Sequence, residues 1–121
     1  MTLSPAIPVL HMSKAAQAEE FYCRGLGFEL VFAQRTPETD DPAYLEVRRG
    51  DCVLHLSSHA GDGAVRAAVL IRIDDVDALF RECSARGVRF DPEPVDQTWG
   101  QREAYAKDPD GNSIRFFTVL G

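Results

Sequence analysis

A chain of 121 residues, 45% of them apolar, is long enough for one domain and can close a core without disulfide or metal staples. Thirteen Lys plus Arg against 19 Asp plus Glu leave a net charge of −6 and a pI near 4.9, a field that repels nucleic-acid backbones and anionic lipid. The three cysteines, Cys23, Cys52 and Cys83, are odd in number and lack C-x-x-C spacing, which argues against both a disulfide framework and a zinc knuckle. No apolar run approaches the roughly 20 residues of a membrane helix. The expectation is a cytoplasmic protein with no membrane or nucleic-acid partner.

In chain order, Ala6-Ile7-Pro8-Val9-Leu10 reads as a first strand whose Pro suits an edge or a strand start. Ser13 is placed to cap a helix over 14–25, with Ala18, Phe21 and Tyr22 at helical spacing and Gly25 and Gly27 ending it. Strands are expected near 28–35, 43–49 and 52–58. After a link at 60–65, Ala67 to Ile73 reads as a strand, and Asp74 or Asp75 caps a helix carrying Val76, Leu79, Phe80 and Cys83 on one stripe. Strands near 88–94, 101–107 and 113–119 follow, the last two joined by the turn Asp108-Pro109-Asp110-Gly111-Asn112. The stretches 36–42 and 91–98 read as long loops.

The second half repeats the first. An offset of 60 residues places Cys23 on Cys83, Gly27 on Gly87, Leu30 on Phe90, Leu54 on Ile114 and His55 on Arg115. The fold expected is α+β: two tandem βαβββ modules (1–60 and 66–121) in one domain, forming a curled mixed sheet with a concave ligand face and helices outside. Strand alternation assigns Leu45, Val47, Leu54, Leu56, Val69, Ile71, Ile73, Ile114 and Phe116 to the helix-covered core. The opposite parity carries Tyr44, Glu46, Arg48, Val53, His55, Ser57, Ala68, Leu70, Arg72, Ser113, Arg115 and Phe117. Polar anchors among apolar walls are the usual composition of a small-molecule site.

The paired modules, Phe21-Tyr22 followed by Gly25-Leu26-Gly27-Phe28, and the DPDGN turn before the last strand together resemble the vicinal oxygen chelate, or glyoxalase/bleomycin-resistance/dioxygenase, superfamily. The resemblance spans the chain. It implies that metal-dependent members take ligands from positions matching Ile7, His55, Ala68 and Arg115. An alkyl chain, a methyl group and a guanidinium cannot ligate a divalent cation, so neither a catalytic metal nor any other cofactor is expected. His11 and His59 read as solvated. Cys23 and Cys83 fall on helix stripes, which leaves Cys52 as the one thiol with a claim to reactivity.

Ala6 to Leu10, and Thr98-Trp99-Gly100 followed by Arg102-Glu103, resemble the bleomycin-resistance branch more narrowly. That resemblance implies a homodimer sequestering a cationic glycopeptide antibiotic at a subunit crevice, with Trp99 and Tyr44 matching the stacking aromatics. The ligand-binding set is then Trp99, Tyr44, Glu46, His55, Glu103, Arg115 and Phe117, with no catalytic residue. Glu103 is a candidate anchor for a ligand amine; Glu46 is expected to pair with Arg48, Arg72 or Arg115. The alternative is a metal-dependent enzyme of the same superfamily, a lyase or dioxygenase, with an unrecognised ligand set.

Overall fold

The computed structural model describes residues 1–121. Strand β1 (Val9–His11) leads into helix α1 (Ala15–Glu19), which continues as a π-helical segment (Glu20–Gly25). Strands β2 (Glu29–Thr36), β3 (Asp40–Arg49) and β4 (Cys52–Ser57) follow; then β5 (Ala68–Arg72), helix α2 (Val76–Ala85), β6 (Val95–Asp96), β7 (Gln101–Lys107) and β8 (Ser113–Val119). The strands divide into two mixed sheets of like topology, β1-β4-β3-β2 and β5-β8-β7-β6. In each, the first strand pairs in parallel with the last, and the remaining pairs are antiparallel. The architecture is α+β, with the βαβββ order in each half. No helix is long and apolar enough to cross a membrane.

The strand parity places Leu45, Val47, Leu54, Leu56, Ile114 and Phe116 in one buried cluster of 20 side chains drawn from both halves. From α1 and its continuation come Ala15, Ala18 and Tyr22, and from α2 Val76, Leu79 and Cys83. Removing this apolar surface from water is the main favourable term holding the halves together.

Polar contacts then fix how the halves meet. Asp108, 6% exposed, accepts from the Tyr22 hydroxyl (2.6 Å), the Asn112 side-chain amide (2.9 Å) and the backbone amides of Asp110 and Asn112 (2.9 and 2.8 Å). Asn112 spans further, donating to the His11 carbonyl and accepting from the Ala67 amide. The DPDGN turn is thus a tie between the second half and the π-helical continuation of α1, beyond closing a hairpin. Burial first, then the Asp108 charge and hydrogen bond, push the Tyr22 hydroxyl far above its ordinary pKa, so it remains a donor.

A second tie lies at the end of that π-helical continuation. Arg49 donates to both carboxylate oxygens of Glu82 and to the Leu26 carbonyl; Arg86 donates to Glu82 and to the Gly25 carbonyl. The two guanidiniums so satisfy carbonyls left open by the helix terminus. Gly27, at φ +78°, lies so near Arg49 that a Cβ there would meet its Nη1 at 2.6 Å.

Four local expectations are corrected. Ser13 does not cap α1: the N-cap is Lys14, Asp41 accepts from the Ala15 amide, and Ser13 hydrogen-bonds to Asp110 instead. Ala6 and Ile7 precede β1, which begins only after Pro8 has passed, a residue without an amide hydrogen for the ladder. The stretch 36–42 is not a long loop; β2 and β3 pair out to Thr36 and Asp40 around a tight turn. The strand expected near 88–94 is absent: Pro92 and Pro94 lack amide donors, so only the Asp91 amide and the Pro92 carbonyl bond to Tyr105 there, and β6 forms instead at Val95–Asp96, inside the stretch 91–98 expected as a loop. Phe90 is instead core, packed against Phe80 and Phe116.

Candidate functional site

Each sheet turns one face to the core and leaves the other free of helices. On the first sheet, register aligns Phe32 with Glu46, Glu46 with His55, and His55 with Val9. The next row runs Gln34, Tyr44, Ser57 and His11. Across these rows the His55 imidazole bridges two neighbours: Nδ1 lies 2.8 Å from the Tyr44 hydroxyl and Nε2 lies 3.0 Å from Glu46 Oε1. A carboxylate at Nε2 favours the tautomer with its proton there, leaving Nδ1 to accept from Tyr44. Glu46 therefore pairs with His55, not with Arg48, Arg72 or Arg115 as expected, since the cross-strand neighbour lies nearest. Burial, with Asp62 and Glu46 adding to it, raises the Tyr44 pKa, so the phenol remains neutral.

On the second sheet, register aligns Glu103 with Phe117 and Phe117 with Arg72; the next row is Tyr105, Arg115 and Leu70. Trp99 sits in the turn between β6 and β7, where Gly100 takes φ +82°, a left-handed conformation natural to glycine. The indole is 61% exposed, yet its N–H donates to Glu103 Oε2 at 2.7 Å. Glu103 itself is 5% exposed, and its other oxygen accepts from the Tyr105 hydroxyl at 2.5 Å. That bond is the largest cause of the raised Tyr105 pKa. Arg115 lies over the Tyr105 ring at 4.7 Å, with its Nε donating to Ser113 Oγ at 3.1 Å. Trp99, Glu103, Tyr105 and Arg115 form one connected chain of contacts.

The seven site residues expected from sequence thus fall into two groups. Tyr44, Glu46 and His55 are together on the first sheet; Trp99, Glu103, Arg115 and Phe117 are together on the second. No hydrogen bond, ion pair or ring contact joins the groups within the chain, so Trp99 and Tyr44 do not make one clamp in a single copy. Tyr105 was missed, although period-two alternation from Glu103 along β7 points to it. Phe32, 53% exposed beside Glu46, was missed similarly. Cys52 loses its claim to reactivity: burial pushes its thiol above the ordinary value, away from the thiolate that would attack.

The four positions matching metal ligands do not fit a divalent cation. Ile7 precedes β1, Ala68 and Arg115 offer no donor to a metal, and both nitrogens of His55 are hydrogen-bonded. No three His, Cys, Asp or Glu side chains converge elsewhere.

The model of the glyoxalase/bleomycin resistance protein/dioxygenase superfamily matches residues 8–116. The chain belongs to this superfamily. This superfamily member is 30% identical to a bleomycin resistance protein from Klebsiella pneumoniae over 104 residues, covering 78% of the chain and 76% of that protein. Its fold also matches a crystal structure of a bleomycin-binding protein complexed with bleomycin, with a TM-score of 0.74 at 28% identity, covering 96% and 98% of the two chains. An antibiotic-binding protein from Streptomyces sp. CB03234 matches with a TM-score of 0.76 at 30% identity over 98% of both chains. Among superfamily members, then, this chain is similar to proteins that bind antibiotics.

Proposed function

We propose that the protein is a bleomycin-resistance-like binding protein that sequesters a cationic glycopeptide antibiotic, or a similar small molecule, in a crevice between two copies without metal catalysis. The observation that carries this reading is Trp99: an exposed indole whose plane is held by a buried carboxylate. A flat aromatic group stacks on such a surface with little conformational entropy lost, and the ring attracts cations. The net charge of −6 draws a cationic ligand towards the protein.

The crevice needs two copies because the two polar groups lie on separate sheets. In this reading the first-sheet face of one copy, with Tyr44, His55, Glu46 and Phe32, meets the second-sheet face of its partner. Leu70, 61% exposed in the row of Arg115, and Phe32 on the other face are the apolar side chains such a contact would cover. The halves 1–60 and 66–121 then act as duplicated units contributing unlike walls. The free cysteines are in keeping with a reducing cytoplasm.

Calorimetric titration with metal-free and copper-loaded bleomycin tests the reading, since loss of one ring's stacking costs about 1 kcal/mol or more. Binding is expected to be at least several-fold weaker in Trp99→Ala. Absence of binding by the unmodified protein, or stoichiometric Zn, Fe, Mn or Ni after gentle purification, would overturn it.

A further inference from the structure

We propose that Arg115 is an anion subsite within this same site, so that the ligand carries a carboxylate or an equivalent two-oxygen anion alongside its aromatic ring. The proposal rests on the small-molecule reading above and adds a charge requirement that a purely cationic ligand does not meet. Arg115 forms no ion pair, like Arg48, Arg66, Arg72, Arg81 and Arg89 and unlike Arg24, Arg35, Arg49, Arg86 and Arg102; among the six without one, it alone has its guanidinium held by a side-chain hydrogen bond and an aromatic ring. The nearest acid along the face is Glu103, and both its oxygens are taken by the neutral donors of Trp99 and Tyr105. The carboxylate one register row from the guanidinium thus directs its hydrogen bonds elsewhere and makes no ion pair with it.

The guanidinium is nevertheless held in place. Its Nε is tethered to Ser113 and its face packs on the Tyr105 ring, so the Nη1 and Nη2 edge is left with no protein partner. A fixed fork with two open N–H groups matches the geometry of a planar anion, and its immobilisation is already part of the fold. Lys107 follows on the same face, paired in register with Ser113, and it too has no acidic partner. With Arg89, Asp91 and Tyr105 it lines an open cavity of about 330 Å³, where two cations face one acid. A chain of contacts from Arg115 through Tyr105 and Glu103 to Trp99 connects the anion site to the aromatic surface on one sheet face, and the proposal is that one ligand spans the two.

Three probes with the same ring system and different charge test this directly: 2-naphthoate, 2-naphthalenemethanol and 2-naphthylmethylammonium. Trp99 is the sole tryptophan, so its indole N–H gives one resonance that can be followed in a proton–nitrogen spectrum during each titration. The expected order is naphthoate tightest, by roughly tenfold over the ammonium probe, with the preference abolished in Arg115→Gln. Arg115→Lys, which keeps the charge but loses the fork, should retain part of the preference and serves if the Gln variant folds poorly. Naphthoate binding no tighter than the alcohol, a preference that survives Arg115→Gln, or no binding of any probe would overturn the proposal. Bleomycin titrated in parallel separates the two readings. Bleomycin binding without an anion preference sinks the subsite alone, and an Arg115-dependent anion preference without bleomycin binding sinks the glycopeptide reading alone.

Discussion

Two carboxylates in the second half, Asp108 and Glu103, are almost equally buried, at 6% and 5% exposed, yet they hold unlike partners. Asp108 grips Tyr22 and Asn112, which are themselves fully buried, and so ties the two halves of the core. Glu103 grips Trp99, whose ring stands largely in solvent, with help from Tyr105. A buried acid costs desolvation free energy wherever it sits. Where its partners are buried the return is a fixed fold; where a partner is exposed the return is a fixed surface, which has value only if something binds there.

Asp108→Ala should break the comparison hardest. It leaves the Tyr22 hydroxyl and the backbone amides of Asp110 and Asn112 without an acceptor, while the Asn112 side chain keeps only the His11 carbonyl, and unfolding in denaturant should show a loss of about 3 kcal/mol. Glu103→Ala is expected to cost less, about 1 to 2 kcal/mol, because the freed indole can turn to water. The Trp99 N–H resonance should shift and its fluorescence anisotropy should fall, with Glu103→Gln restoring much of both by keeping an acceptor. A Glu103→Ala variant as unstable as Asp108→Ala, with unchanged Trp99 signals, would erase the distinction. Tyr22→Phe removes a single bond from Asp108 and should cost about 1 kcal/mol by the same denaturation assay.

The smallest expected effect sharpens the comparison with a third, more exposed acid. Hydrogen bonds from Arg49 and Arg86 pull the Glu82 carboxyl down to about 2, below its ordinary 4.5. A folded-state value below the unfolded one means that the contribution is present above about pH 4.5 and lost as pH falls towards 2. With the side chain 38% exposed, screening limits it to less than about 1 kcal/mol. Glu82→Gln should flatten the acid limb of the stability profile by no more than that.

Much of this architecture is legible in the sequence where one strong period governs. Strands β4, β7 and β8 and helix α2, with Asp75 accepting from the Ala78 amide as its cap, fall where alternation and helical spacing put them. The tract around Pro92 and Pro94 does not, because the duplication suggests a strand that the prolines forbid. The role of Asp108 was not legible: its partner Tyr22 lies 86 residues away, and a turn motif says nothing about what its side chain reaches. Trp99 and Glu103 could both be singled out from sequence. That they bond to each other, and that Tyr105 and Arg115 extend the contact, depends on the β6–β7 turn geometry and the β7–β8 register.

The most direct test of the account is complementation between two copies. Trp99→Ala removes the second-sheet aromatic and Tyr44→Ala the first-sheet aromatic; each variant alone should bind bleomycin weakly. After unfolding and refolding the two together, random pairing should regenerate one intact crevice in mixed dimers, and calorimetry should recover unmodified affinity at about a quarter of the sites. A mixture that binds no better than its separate components would contradict a site shared between the first sheet of one copy and the second sheet of another.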